Sequence, residues 1–272
     1  MFSKKFLNIS DFAKISGVSR QTLIYYDRLG LFSPAYVANN KYRMYSHNQV
    51  DTIGVITLLS DLGVPLKEIK RILTDISVET MTKTLNYQSE IIQEKIEKLT
   101  LLRDMIQIRL EQLKEGADIQ RGVSEFCIKE LDCDIPICTG NEINLNQDDI
   151  GDETIIDFFE AAEKKRLPLI FSFGFIKNAD DILRKDYGMV SHMWFRLKNK
   201  KYANAFIPRG KYIVGYIKGD YGKTDQIYDD LLEFASKMNT KITGSVYEEY
   251  LIDELSEKNP DNYLMKAFVK IK

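Results

Sequence analysis

Apolar positions along the chain follow three successive rhythms: short helical bursts up to about residue 73, a seven-residue repeat from Leu85 to Leu113, and strand-like runs beyond residue 125 interrupted by two helical patterns. In the first stretch, Phe12 and Ile15 follow Ser10, an N-cap residue, and precede Gly17, which predicts a helix that buries both. Ser19 caps a second helix, with Val18 and Leu23 as a hydrophobic staple and Gly30 as its stop. Leu23 and Tyr26 share its inner side, while Arg20, Gln21, Tyr25 and Arg28 share the other. The segment YVANNKYRMY, Tyr36 to Tyr45, reads as a hairpin with a polar tip, and the two-residue period puts Lys41, Arg43 and Tyr45 on one face. Ser46 and Gln49 form a capping box for a third helix with Val50, Ile53, Ile56, Leu59 and Leu62 inward and Gly63 at its end. A fourth, PLKEIKRIL, turns Ile69 and Ile72 inward and Lys67, Lys70 and Arg71 outward.

Two short helices joined by a tight turn containing Gly make a helix-turn-helix, whose second helix lies in a DNA major groove. Arg20 and Gln21 at its N-terminal end suit guanine and adenine edges, and Tyr25 and Arg28 reach phosphate oxygens. The hairpin, with Lys41, Tyr42 and Arg43, is placed as a wing, and Lys67 adds charge on the fourth helix. The charge distribution agrees: the first 73 residues hold 10 Lys/Arg against 5 Asp/Glu, and the rest hold 28 against 35. A basic head on an acidic body points to a local polyanion partner and away from a protein that coats DNA along its whole length.

In the second stretch, Leu85, Ile92, Leu99, Ile106 and Leu113 recur every seven residues, with Ile96, Leu102 and Leu110 at companion positions and Gln88 and Lys95 interrupting them. Neither Pro nor Gly occurs from Ser77 to Glu115. The pattern predicts one helix of roughly 50 Å with a coiled-coil seam that calls for a partner helix. Gly116 and Gly122 mark its end. The expected organisation is a DNA-binding domain over 1–76, a dimerisation helix over 77–116 and a ligand-binding domain over 117–272.

The third stretch repeats strand, helix, strand, strand twice, which predicts an α+β domain of two β-α-β-β units. Phe171, Phe173, Phe175, Trp194, Phe195, Tyr212, Tyr216, Tyr247, Tyr250 and Tyr263 all fall on predicted strands. Core packing accounts for most strand aromatics, but tyrosine brings a hydroxyl that needs a partner, so a pocket for a flat apolar ligand is expected. In GSVYEEYLIDE, alternation puts Val246, Glu248, Tyr250 and Ile252 on one face. A carboxylate there requires a Lys or Arg partner, exposure, or a cationic ligand helped by the tyrosine rings.

With 44% hydrophobic and 29% charged residues, the composition is that of a soluble globular protein. No apolar run of about 18 residues exists to span a membrane, and the N-terminus lacks the core of a signal peptide. The three cysteines, Cys127, Cys133 and Cys138, suit a reducing cytoplasm rather than a disulfide framework.

The segments ISDFAKISGVSRQTLIYYDRLGLFSP, YRMYS and LGVPLKEIKRIL resemble the MerR family of bacterial transcription regulators over the whole head. The resemblance implies a winged helix-turn-helix with Arg20, Gln21, Tyr25 and Arg28 as recognition-helix contacts and Arg43 on the wing. Ile24 stands where the family usually has Arg. It further implies a dimer paired through an antiparallel coiled coil on a pseudo-palindromic operator. The body, through IPRGKY and VYEEYLIDE…NYLMKAFVKI, resembles the GyrI-like effector domain of multidrug-responsive MerR-type activators. That resemblance implies a drug pocket at Glu248 and Tyr263. Tyr250, Phe173, Trp194 and Tyr212 complete the candidate ligand-binding set. The implied function is to bind hydrophobic, cationic compounds and switch transcription on by distorting promoter DNA for RNA polymerase, with no cofactor. Two other readings compete: a metal or redox sensor built on Cys127, Cys133 and Cys138, and a GyrI-like hydrolase. The cysteine spacing is not a compact ligand pair, and no catalytic set of residues is evident.

Overall fold

The computed structural model describes residues 6–75, 77–120, 126–167 and 173–272, in two compact units, Met1–Glu94 and Lys95–Lys272. The first begins with β1 (Phe6–Asn8), α1 (Ile9–Ser16) and α2 (Arg20–Arg28), followed by β2 (Tyr36–Val37), β3 (Arg43–Ser46), α3 (Gln49–Asp61) and α4 (Leu66–Thr74). Asn8, not Ser10, caps α1: its side chain accepts the amides of Ser10 and Asp11 at 2.9 and 3.0 Å. Ile9, Phe12 and Ala13 form the inward stripe of this short helix, which leaves Ile15 off the stripe and 55% exposed. Ser19 caps α2 by accepting the Thr22 amide, and Gly17 and Gly30 take the left-handed conformation at the two stops.

The predicted hairpin gains a third strand, β1, which pairs with β3 and sets Leu7 opposite Tyr45. Lys41 lies in the turn with φ 62°, so the two-residue alternation does not extend through it. Tyr45 is core instead, its ring stacked on Phe12 at 4.5 Å and on Phe32 at 5.8 Å. Gln49 accepts the Ser46 amide at 3.0 Å, one half of the expected capping box, while the residue flanking the first turn of α3 is Asn48.

The long helix α5 spans Val78–Gln120 and runs through Gly116 rather than stopping there. A Cβ on Gly116 would stand 2.9 Å from the Ile252 side chain, so this glycine lets the helix lie against the sheet. Gly122 lies outside the described residues. In the second unit, Leu101, Met105 and Ile108 bury one face of α5. A different face keeps Leu85, Ile92, Ile96, Leu99, Ile106 and Leu110 at 39–64% exposure.

The rest of the second unit comprises β4 (Phe126–Leu131), β5 (Ile135–Thr139), β6 (Leu145–Asn146), α6 (Asp152–Lys164), β7 (Gly174–Asn178), α7 (Ala179–Leu183), β8 (Met189–Val190), β9 (His192–Arg196), β10 (Ala205–Ile207), β11 (Gly210–Lys218), α8 (Gln226–Lys237), β12 (Ile242–Ile252) and β13 (Leu264–Ile271). Eight of these strands form one antiparallel sheet in the order β10-β5-β9-β7-β12-β13-β11-β4. Two repeats are visible in it, β5-α6-β7-β9 and β11-α8-β12-β13. Each places its last strand between its other two, and they meet along β7 and β12. On one side, Ile227, Tyr228 and Leu231 of α8 pack on Val246, Tyr250 and Val269. On the other, Leu113 and Ile119 of α5 pack on Tyr212, Tyr247, Leu251 and Phe268. A register shift between Tyr250 and Ile252 breaks the alternation, so Ile252 joins the α5 side and not the face of Glu248 and Tyr250.

Candidate functional site

In the first unit, burial of Leu23 and Tyr26 turns the opposite face of α2 outward, and Arg20, Gln21, Tyr25 and Arg28 are all exposed there. Tyr42 at the hairpin tip is 60% exposed, and Lys41 and Lys67 are exposed as well. Arg43 does something more specific. Its Nε donates to Asp27 of α2 at 2.8 Å, which fastens the hairpin to α2 and engages part of the guanidinium. Ile24 is half-buried.

In the second unit, β7 and β12 are paired only from Ser245↔Asn178 to Tyr247↔Ile176. Past that point Gly174 and Phe175 pair with β9 alone, and the Glu248 carbonyl accepts the Trp194 indole N–H at 3.1 Å. The same N–H reaches the Phe175 carbonyl, also at 3.1 Å. Gly174 is required at this seam: a Cβ there would fall 1.8 Å from the Glu248 carbonyl oxygen. Where the strands part, a cavity of about 510 Å³ opens. Its apolar wall is Ile150, Ile155 and Phe159 from α6 and its approach, with Phe173 and Phe175. Glu248 and Tyr250 of β12 supply its polar side, and Tyr221, Asp253, Glu254 and Leu255 line the remainder. The size and mixed lining suit a drug-sized amphipathic molecule.

Glu248 is almost fully buried. Lys177 Nζ lies 3.4 Å from Oε1, and the Tyr228 hydroxyl donates to the same oxygen. Burial pushes the carboxyl above its usual range, and Lys177 and Tyr228 pull it partly back. Lys177 is itself fully buried and also donates to the Gln147 side chain and the Tyr187 carbonyl. Burial and the adjacent carboxylate keep the Tyr228 phenol protonated.

The next residue, Glu249, points to the α5 side. It meets Arg196 at 2.9 Å and Lys266 at 3.0 Å and accepts from Gln112 of α5 at 3.1 Å. Lys266 continues to Glu115 of α5 at 2.9 Å, and Glu115 also accepts from Lys129 and the Tyr216 hydroxyl. Arg109 of α5 pairs with Asp253 at 2.5 Å. Strand β12 therefore carries a cavity carboxylate on one side and the grip on α5 on the other.

Of the candidate ligand-binding residues, Glu248, Tyr250 and Phe173 come together at the cavity. Tyr263 lies one ring behind, 5.3 Å from Tyr221. Trp194 and Tyr212 belong to the core beneath α5; Trp194 acts through its N–H at the seam, and Tyr212 donates to the Pro208 carbonyl at 2.6 Å. Phe171 lies outside the described residues. The sequence reading missed Lys177, though Phe173, Phe175 and Lys177 share one parity and a lone Lys at the end of such a run is a visible signal. It also missed Tyr221 and Glu254, which sit in turns where no periodicity operates. Cys127 is half-buried, Cys133 exposed and Cys138 buried with its thiol beside Lys165 at 3.8 Å. Among the described residues no group of three His, Cys, Asp or Glu side chains converges as a metal site. Among them too, no helix is long and apolar enough to cross a membrane.

Residues 7–76 match the family described as MerR HTH family regulatory protein. Over 271 residues the chain is 29% identical to the multidrug-efflux transporter 2 regulator of Bacillus subtilis (strain 168), covering 99% of this chain and 97% of that one. It is 23% identical to the multidrug-efflux transporter 1 regulator of the same organism, covering 98% and 99%. It is 33% identical over 116 residues to the mercuric resistance operon regulatory protein of Bacillus cereus, covering 41% of this chain and 88% of that one.

Proposed function

The chain belongs to the MerR family of helix-turn-helix regulators and is a DNA-binding transcription regulator, and we propose that it works in the cytoplasm as a homodimer whose body senses hydrophobic, cationic small molecules and activates transcription in response. Two full-length relatives regulate multidrug-efflux transporters, which supports a ligand of that kind and a binding rather than catalytic role. The observation that carries the reading is the cavity at the β7–β12 seam, with aromatic walls and the Glu248 floor, on a strand whose opposite side grips α5.

Arg20, Gln21, Tyr25 and Arg28, together with Lys41, Tyr42 and Lys67, contact DNA, and Arg43 aligns the wing through Asp27. The exposed seam of α5 pairs with the same helix of a second copy, which presents two recognition helices to a pseudo-palindrome. Ligand binding acts by differential affinity: a molecule that fits the cavity better in one arrangement of β12 shifts the protein toward it. Through Glu249, Lys266, Glu115 and Arg109 that arrangement is felt by α5, and the DNA between the half-sites is bent and untwisted so that RNA polymerase engages the promoter.

Two experiments on one template test this. Selection from a random duplex library is expected to recover an inverted repeat, and Arg20→Ala is expected to lose it. Transcription from a promoter carrying that repeat is then expected to rise with tetraphenylphosphonium. Recovery of a non-symmetric site, or transcription indifferent to the compound, contradicts the reading.

A further inference from the structure

Three carboxylates line the cavity: Glu248, Asp253 and Glu254. Two are matched from within the fold, Glu248 by Lys177 at 3.4 Å and Asp253 by Arg109 at 2.5 Å. Glu254 accepts from the Tyr221 hydroxyl, an uncharged donor, and among the described residues no Lys or Arg forms an ion pair with it. It is exposed in the turn after β12, at the mouth of the cavity. Tyr221 beside it is 44% exposed, its ring set edge-on to Tyr250 at 4.5 Å and backed by Tyr263 at 5.3 Å.

These two ends of the cavity treat a positive charge differently. At the floor, a cation meets a carboxylate already neutralised by a buried ammonium, and the attraction of Glu248 is offset by repulsion from Lys177. At the mouth, it meets a carboxylate with no ion-pair partner among the described residues and the rings of Tyr221 and Tyr250, groups that together attract quaternary and delocalised cations. We propose that Glu254, with Tyr221 and Tyr250, reads the positive charge of the ligand, while Glu248 with Lys177 forms a net-neutral hydrogen-bonding floor. The ligand class is then a lipophilic onium compound whose charged end lies at the mouth and whose apolar body lies against Phe159, Phe173 and Phe175. The premise is that the cavity is the ligand pocket.

The test compares a cation with a neutral molecule of similar shape, tetraphenylphosphonium against triphenylphosphine oxide, on the full-length protein by isothermal titration. Glu254→Gln is expected to weaken the cation about tenfold and to change the neutral probe by less than about twofold. Glu254 is exposed in a turn, so this substitution leaves the core untouched. Glu248→Gln strands Lys177, so the double variant Lys177→Met/Glu248→Gln serves beside it. The double variant, which keeps the floor uncharged, is expected to alter the two probes alike and preserve the preference for the cation, whereas Glu248→Gln alone is expected to weaken the cation because Lys177 then repels it. Loss of that preference in the double variant, with Glu254→Gln unchanged, overturns the assignment while the pocket stands. If the wild type binds neither probe, the pocket and the assignment fall together.

Discussion

Lys177 and Glu248 form an ion pair inside the body, with Nζ 3.4 Å from Oε1 and side chains only 1% and 3% exposed. A pair so buried adds little net stability, but removing one partner leaves an uncompensated charge. Lys177→Met is therefore expected to destabilise the protein by about 3–5 kcal/mol. Adding Glu248→Gln is expected to recover much of the loss, because the stranded charge is gone. Urea unfolding of the two single variants and the double variant measures the coupling, and simple additivity contradicts it.

Glu115 supplies a pH dependence. Burial raises its carboxyl, but Lys266, together with hydrogen bonds from Lys129, Tyr216 and Lys266, outweighs that and holds it down at about 2, against 4.5 for the free group. The folded value lies below the unfolded one, so the contribution is complete above about pH 4.5 and is lost as pH falls through about 2. Its size is at most about 3 kcal/mol. Stability measured between pH 5 and pH 2 is expected to fall less steeply in Glu115→Gln than in the wild type; equal slopes contradict the assignment.

On the DNA side, Gln21 and Arg28 are expected to behave differently. Gln21→Ala is expected to cost about 1–3 kcal/mol on the preferred site and to relax specificity at one base pair of each half-site. Arg28→Ala is expected to weaken binding to all sequences alike and to lower the dependence on salt by about one counterion per half-site. Binding isotherms at several salt concentrations separate the two. A base-specific defect in Arg28→Ala would reverse the roles.

The exposed seam of α5 makes dimerisation testable at one position. Leu99 is 64% exposed within the chain, so Leu99→Glu removes little internal packing but places a charge in the seam. Sedimentation is expected to show a dimer for the wild type and a monomer for the variant, with unchanged helical content. A dimeric variant contradicts pairing through this face.

Periodicity made the helices of the head, the length of α5 and the strand-helix-strand-strand repeats legible, because each buries an apolar face at a fixed spacing. It failed where a different rule set the outcome. Asn8 took the cap from Ser10 because β1, three residues long, ends on it. Gly116 looked like a stop but serves close packing, which depends on what lies opposite, here Ile252. The shift between Tyr250 and Ile252 moved Ile252 to the other side, and nothing local announces it. At the cavity, Glu248, Tyr250 and Phe173 were readable from strand alternation. Tyr221 and Glu254 were not, because turns bring them in, and the partnership of Lys177 with Glu248 arises from the meeting of β7 with β12 across about 70 residues of chain.

The most direct test of a ligand pocket at the seam is a titration of the full-length protein with tetraphenylphosphonium, followed by the emission of Trp194, the only tryptophan. Its indole N–H is bonded to the Glu248 carbonyl, so occupancy of the cavity is expected to change its signal. Saturable binding near micromolar, one molecule per chain, is predicted, and Leu255→Lys, which sets a positive charge at an exposed lining position, is predicted to weaken it at least about tenfold. No saturable change in the wild type, or one that Leu255→Lys leaves intact, would contradict the account.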